Sequence, residues 1–280
     1  MITTLSQICR HLSVAGCVAA GLTLGVMATG CSSDDHAPIF QPTLPATGGD
    51  CVRSIEHQGS MMASYDWIFH YDGPRLVQAQ GTMRDADPKA DKSYRYTSYL
   101  GYGTSWISVT NQPGEAVNIQ LNSEGYIDRM TVGQNDYRFR YLDGRLVEWS
   151  KTVYENTFGQ QAMYTSTGKI TYDNGNYSKL EYVGPDSERA TLTFTSTDLV
   201  NRNGLLPVGV TKELGMLGFE HLYYAGLLGR PTINLVRSVD YTSPRQTYTM
   251  NYEYSSRSGN TVLCNFHAPD GKIASVNYTY

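Results

Sequence analysis

The sequence predicts an all-β, mainly antiparallel protein: a meander rolled into a barrel or half-barrel of roughly fifteen strands, with one helix near residues 211–228. Three observations predict it. Charged residues are 17% of the chain, against the roughly 25% usual in soluble proteins, while Gly 27 and Tyr 22 are high for 280 residues, so the surface is neutral, hydroxyl-rich and turn-rich. A hairpin phrase recurs along the chain. Its flanks alternate with period two, as in Tyr137-Arg138-Phe139-Arg140-Tyr141 and Tyr248-Thr249-Met250-Asn251-Tyr252-Glu253-Tyr254, which sets an aromatic face against a polar one.

The first element is an address. Met1 to His11 is polar, with Arg10 as its formal charge, and Val14 to Met27 is an apolar run too short to span a bilayer comfortably, the pattern of a secretory signal. Ala28-Thr29-Gly30 then places small residues before Cys31, as the lipobox of bacterial lipoproteins does. Residues 1–30 therefore read as a lipoprotein signal peptide and Cys31 as the lipidated N-terminus, with cleavage near Ala28 and an unmodified Cys31 as the alternative. The acyl chains bury enough methylene for a lasting membrane anchor. Ser32-Ser33-Asp34-Asp35 resembles the acidic signal that sends Bacteroidetes lipoproteins to the outer leaflet, which implies an outer-membrane, surface-displayed protein; an Asp at this place also resembles a retention signal of proteobacteria. His36 to Asp50 holds Pro38, Pro42, Pro45, Gly48 and Gly49 with few apolar residues, so residues 31–50 read as a flexible tether.

Residues 51–280 are long enough for one large domain. Phe69 to Val77 and Phe139 to Val147 agree at five of nine positions without a gap. Looser copies lie at Leu121 to Ile127, Tyr164 to Ile170 and Phe266 to Ile273. Each reads as a hairpin whose Gly takes the positive φ of a tight turn while a neighbouring Asp or Asn bonds its own backbone. Strands so counted run from Cys51 to Asp198 and from Thr232 to Tyr280, and so long a meander should curl to hide its edges. Between them, Leu214, Leu217, Leu222, Tyr223 and Leu227 recur at helical spacing behind Thr211, which predicts a helix over 211–228 covering an end or flank of the sheet. Gly215, Gly218 and Gly226 thin it, and two apolar strands are the alternative. The last strand, Ala274, Val276, Tyr278 and Tyr280, alternates and ends in an aromatic as outer-membrane barrels do, but short strands such as Tyr137 to Tyr141 favour a soluble barrel.

The hairpin copies, Asn203-Gly204-Leu205-Leu206-Pro207 and the stretch Gly218 to Gly229 together resemble a Bacteroidetes lipoprotein family, domain of unknown function 4595, over roughly Cys51 to Tyr280. The resemblance implies a porin-like rolled sheet with one helix and no assigned activity, so it carries no catalytic residue with it.

Chemistry is defined first by what is missing. A net charge of -4 with no basic block excludes a nucleic-acid partner. No Gly-x-Ser-x-Gly, His-Glu-x-x-His or P-loop occurs, the histidines have no metal spacing, and Asp85, Asp87 and Asp91 are interrupted by Pro88 and Lys89. The chain reads as a non-enzyme without cofactor or metal. Glu220-His221 is the one acid/base candidate, with a histidine that merely packs the helix as the alternative. What the chain offers a ligand is aromatic: Tyr94, Tyr96, Tyr99, Tyr102 and Trp106, on neighbouring strands and flanked by Asn, Gln and Ser, suit stacking on sugar rings. Glycan or other ligand binding is the reading; a structural or interaction role in the envelope, a porin-like barrel and a glycan hydrolase stand as alternatives, with oligomeric state open. Finally, Cys51 and Cys264 bracket the domain. Closure through the first and last strands could join them in a disulfide, with two buried unpaired thiols as the alternative.

Overall fold

The computed structural model describes residues 51–58, 64–84, 95–103, 106–112, 116–157, 160–257, 261–267, 271 and 273–280. The signal peptide, Cys31, the tether, Tyr94 and the aspartates at 85, 87 and 91 lie outside them. Sixteen strands form one closed antiparallel barrel in simple chain order. They are β1 Ser54–Gln58, β2 Ser64–Asp72, β3 Arg75–Arg84, β4 Arg95–Tyr102, β5 Ile107–Gln112, β6 Ala116–Leu121, β7 Ile127–Val132, β8 Asn135–Leu142, β9 Arg145–Thr157, β10 Gln160–Asp173, β11 Asn176–Val183, β12 Arg189–Val200, β13 Asn234–Thr242, β14 Thr247–Arg257, β15 Thr261–His267 and β16 Ile273–Thr279. β1 and β16 close the ring in register from Ser54↔Thr279 to Gln58↔Ser275. The all-β barrel and its single short helix are as the sequence predicts, and closure removes every sheet edge.

Parity sets what each strand buries. Along β8, Tyr137 and Phe139 are buried while Arg138 and Arg140 are exposed; along β14, Met250 and Tyr252 are buried while Asn251 and Glu253 are exposed. In β16, Ala274, Val276 and Tyr278 all point inward. The apolar side is thus the lumen and the polar, charged side is the outer wall, the reverse of the arrangement in a lipid-spanning porin barrel.

The hairpin phrases at 69–77, 139–147 and 121–127 are turns as read, with Gly73, Gly144 and Gly125 at positive φ. The phrase at 164–170 is not. Gly168 sits inside β10 opposite Trp149, where the space a Cβ would need is filled by that indole. The turn comes later, at Asn174-Gly175, whose φ values are +47° and +78°. Glycine there serves close packing rather than chain reversal.

Residues 201–233, between β12 and β13, are the second departure. The helix is present but spans only Glu220–Tyr224. Gly215, Gly218 and Gly226 take φ of +74°, +81° and +78°, so the predicted helix cannot run through them. Of the leucines expected inward, Leu214 and Leu222 are buried and Leu217 is half-buried, but Glu220 is buried too. Nor does the segment lie on an end or flank: it threads the lumen as a plug. Leu205, Leu206, Val208, Val210, Met216 and Tyr223 join the barrel core. Its roots are tied by Asn201, whose side chain bonds Leu205 and Thr232, and by the Asn176–Asn234 pair.

The register also answers the cysteine question. Cys264 lies opposite Val276, and Val276 opposite His57, while Cys51 precedes β1 and is six residues before His57, about 20 Å if the chain stays extended at roughly 3.3 Å per residue. Disulfides need Cα atoms within about 7 Å. No disulfide joins them; first and last strands are neighbours, but the two residues sit at opposite heights.

Candidate functional site

Two places bring together groups that could meet a ligand. The first is on the outer wall. In β4, Ser98 and Leu100 are buried and Tyr99 is exposed, and in β5, Ile107 and Val109 are buried while Ser108 and Thr110 are exposed. Tyr99 pairs with Thr110 on one side and with Gln78 of β3 on the other. Trp106 precedes β5 and is 55% exposed, Tyr99 43%. The Gly103 amide donates to the Trp106 carbonyl at 2.8 Å, and the Trp106 ring occupies the place a Gly103 side chain would take. An indole and a phenol thus stand on one face, four residues or about 13 Å apart along the strands, among amides and hydroxyls.

The other aromatics of the sequence reading do not join that face. Tyr102 is half-buried, its hydroxyl donating to the Leu76 carbonyl at 2.7 Å with the Arg75 guanidinium over its ring at 5.6 Å; burial raises its pKa above the ordinary phenol value. Tyr96 has its backbone in β4 opposite Gly81, and its side chain lies outside the described residues.

The second place is a cleft at the opposite end of the barrel from the glycine turns, where β1 and β2 meet the plug. Ile55, His57, Ser64, Tyr65, Trp67, Thr211, Glu220, Tyr224 and Tyr278 line it, with Leu206 to Gly209. Asp66 turns back to accept from the His57 amide at 2.8 Å and to meet His57 Nδ1 at 3.1 Å, which fixes the imidazole. Ser64 is 7% exposed, and its Oγ is buried with no hydrogen-bond partner among the described residues. Glu220 Oε2 accepts from the Gly218 amide at 2.8 Å. Burial in this apolar setting pushes the Glu220 carboxyl up to about 8, against the opposing pull of its hydrogen bonds, Trp67 and Thr211 among them, so at neutral pH it is mainly a neutral acid.

His221, flagged beside Glu220 by the sequence, points instead into the core. Its ring lies 4.8 Å from Trp67, and burial pulls its pKa down to about 3. It is a packing histidine, the alternative the sequence allowed. His57, Ser64 and Asp66 carried no motif to find them by. Their only sequence signal is that Ser64 and Asp66 stand at the start of an aromatic strand, whereas Glu220 stands out beside His221.

The profile of a family described as "Domain of unknown function (DUF4595) with porin-like fold" matches residues 69–261. Among solved structures, the chain is similar to a porin-like protein from Bacteroides uniformis ATCC 8492, 19% identical, with TM-score 0.60 over 81% of this chain and 97% of that one. It is also similar to a porin-like protein from Bacteroides vulgatus ATCC 8482, 12% identical, with TM-score 0.47 over 83% of this chain and 99% of that one. The first likeness is one of fold. Among curated proteins none matches.

Proposed function

The chain belongs to the DUF4595 family with porin-like fold, and from that premise we propose that it is a lipid-anchored outer-membrane protein whose barrel stands in water at the cell surface and binds glycan on its outer wall. The observation that carries the binding is the exposure of Tyr99 and Trp106 on one face, among Gln78, Ser108 and Thr110 and without a charged side chain between them. Apolar ring faces meet the C–H face of a sugar, and neutral amides and hydroxyls exchange hydrogen bonds with its rim at little desolvation cost. The Ala28-Thr29-Gly30-Cys31 sequence supports the anchor.

The character of the wall supports placement in water. Arg138, Arg140, Glu148, Lys169, Lys179 and Glu181 are on the outer side of β8 to β11, and each such charge costs about 2 to 4 kcal/mol at a bilayer midplane for Arg or Lys. The plug supports the same reading, since among the described residues it fills the barrel core with Leu214, Met216, Leu222 and Tyr223. Glycan-array binding of the mature protein tests the proposal. We expect a saturable polysaccharide ligand whose affinity falls about tenfold or more in Trp106→Ala and in Tyr99→Ala, some 1.4 kcal/mol each. Absence of binding across host and dietary glycans, or equal binding by both variants, would remove the reading. The anchor is tested separately: Cys31→Ser should move the protein out of the membrane fraction.

A further inference from the structure

We propose that the cleft between β1, β2 and the plug is a second binding site, distinct from the outer aromatic face, which takes the neutral, hydroxyl-bearing end of a sugar or polyol. The argument starts from Ser64. A buried hydroxyl without a partner costs the folded protein about 1 to 3 kcal/mol, and few such groups persist in native proteins unless something outside the chain completes them. Ser64 Oγ is such a group among the described residues, and it lines an open cleft rather than a sealed core.

The remaining polar groups define what could complete it. The amide and Nδ1 of His57 are both engaged by Asp66, so Nε2 is the ring atom left to meet a ligand. Glu220, protonated near neutrality, offers an O–H donor as well as an acceptor oxygen. Ser64 and Thr211 each donate and accept. Among the described residues no lysine or arginine lines the cleft, so an anion meets no counter-charge from them, and Asp66 is committed to His57, so a cation meets none either. A hydroxyl, which both donates and accepts, is the group this set matches. Tyr65, Trp67, Tyr224 and Tyr278 supply the surrounding ring surface for the carbon to which that hydroxyl is attached.

Size narrows the class further. The space open to water-sized occupants is ≈ 30 Å³, room for about two waters at roughly 10–15 Å³ each. That admits a hydroxymethyl or a vicinal hydroxyl pair and excludes a whole pyranose ring, so the cleft reads the end of a chain and not its middle.

The test uses the mature protein and the indole N–H resonances of its three tryptophans, Trp67, Trp106 and Trp149, assigned by single Trp→Phe variants. Glycerol, erythritol and methyl α-glucopyranoside are titrated as probes, with sodium acetate and ethylammonium as charged controls. We expect the Trp67 resonance to shift saturably with at least one neutral probe and with neither control. Ser64→Ala, which deletes a hydroxyl that stabilises nothing in the empty protein, should fold normally and weaken that response about tenfold or more. Tyr99→Ala should leave it unchanged, which separates this site from the outer face. A Trp67 resonance indifferent to every neutral probe, or one that responds equally in Ser64→Ala, would overturn the proposal and leave two ordered waters as the occupants of the cleft.

Discussion

The barrel wall and the plug bury similar side chains by different means. In β8 and β14 every second residue faces the lumen, and ladders to the neighbouring strands engage the backbone, so parity decides burial. Between Leu205 and Leu228 most residues are buried whatever their parity, and there is no ladder to satisfy their carbonyls. Wall side chains, and in one case a wall backbone amide, do it instead. The hydroxyls of Tyr278 and Tyr252 donate to Leu206 and Val208 at 3.3 and 2.6 Å, the Trp149 indole donates to Glu213 at 3.0 Å, and the Ile127 amide donates to Leu227 at 2.9 Å. A tyrosine can lie in an apolar core and still carry a donor to its far end. The abundance of tyrosine is therefore more than a β-strand preference: it is how an irregular segment is kept inside a barrel.

The sharpest way to break this contrast is to give each region the same insult. Gly215 in the plug and Gly73 in the β2–β3 turn both have positive φ, +74° and +55°. A Cβ on Gly73 would meet nothing within 4 Å, whereas one on Gly215 would lie 2.5 Å from the Trp149 ring. Both alanine variants bear the left-handed backbone cost of about 1–2 kcal/mol. Gly215→Ala must also displace an indole that Gly168 and the Glu213 carbonyl hold in place, so its total should reach about 3 kcal/mol or more. Urea unfolding followed by circular dichroism measures both. Equal losses would mean that the plug does not press on β9.

The same contrast explains what was legible in the sequence. Period-two alternation exists because the wall has two faces, so strand positions and most turn glycines could be read from residues such as those of β8, while a barrel and a half-barrel stayed alternatives until the β1–β16 register closed the ring. The plug is mostly buried and has no continuous solvent face, so its leucines had no true period, and a helical spacing over Leu214, Leu217 and Leu222 stood out where only Glu220–Tyr224 is helical. Tyr99 and Trp106 were legible only as two of five candidate stacking aromatics, and the strand bounds of β4 and β5 are what sort the exposed pair from Tyr102. The cleft was not legible, because His57 and Ser64 come from the first two wall strands and Glu220 from the plug more than 150 residues on, and only the return of the plug into the barrel brings them together.

Buried ionisable groups in the plug give the next effect. Glu220 is raised to about 8 and His221 lowered to about 3, from 4.5 and 6.5 respectively. Between pH 3 and 6.5 the unfolded chain binds the extra proton at His221, so stability rises with pH. Between 4.5 and 8 the folded chain holds the extra proton at Glu220, so stability falls with pH. The two slopes oppose each other from 4.5 to 6.5 and leave a net fall from 6.5 to 8; Glu213, raised by burial, contributes a fall of the same sign above the ordinary carboxyl range. Glu220→Gln should remove about 2 kcal/mol of that fall, at 1.36 kcal/mol per pH unit. Unfolding free energies at pH 6.5 and 8.0 for both proteins decide it; parallel lines would show that Glu220 is ionised in the folded plug.

The smallest effect belongs to the outer side of the wall, where interactions look strong and count for little. Arg140 donates to Glu148 Oε2 through Nε at 2.9 Å and also through Nη2, which is good geometry between directly opposed residues on β8 and β9. Yet the two side chains are 63% and 49% exposed, so water already solvates both charges, and holding two long side chains in one arrangement costs entropy. Glu148→Gln should therefore change stability by no more than about 0.5 kcal/mol, and the change should shrink in 1 M salt, where the Debye length is about 3 Å. The matched experiment is urea unfolding in low and high salt. A loss above about 1 kcal/mol that persists in high salt would mean that the wall draws its strength from the outer charges, and the lumen packing around Phe139 and Trp149 would have to yield its place as the source of β8–β9 stability.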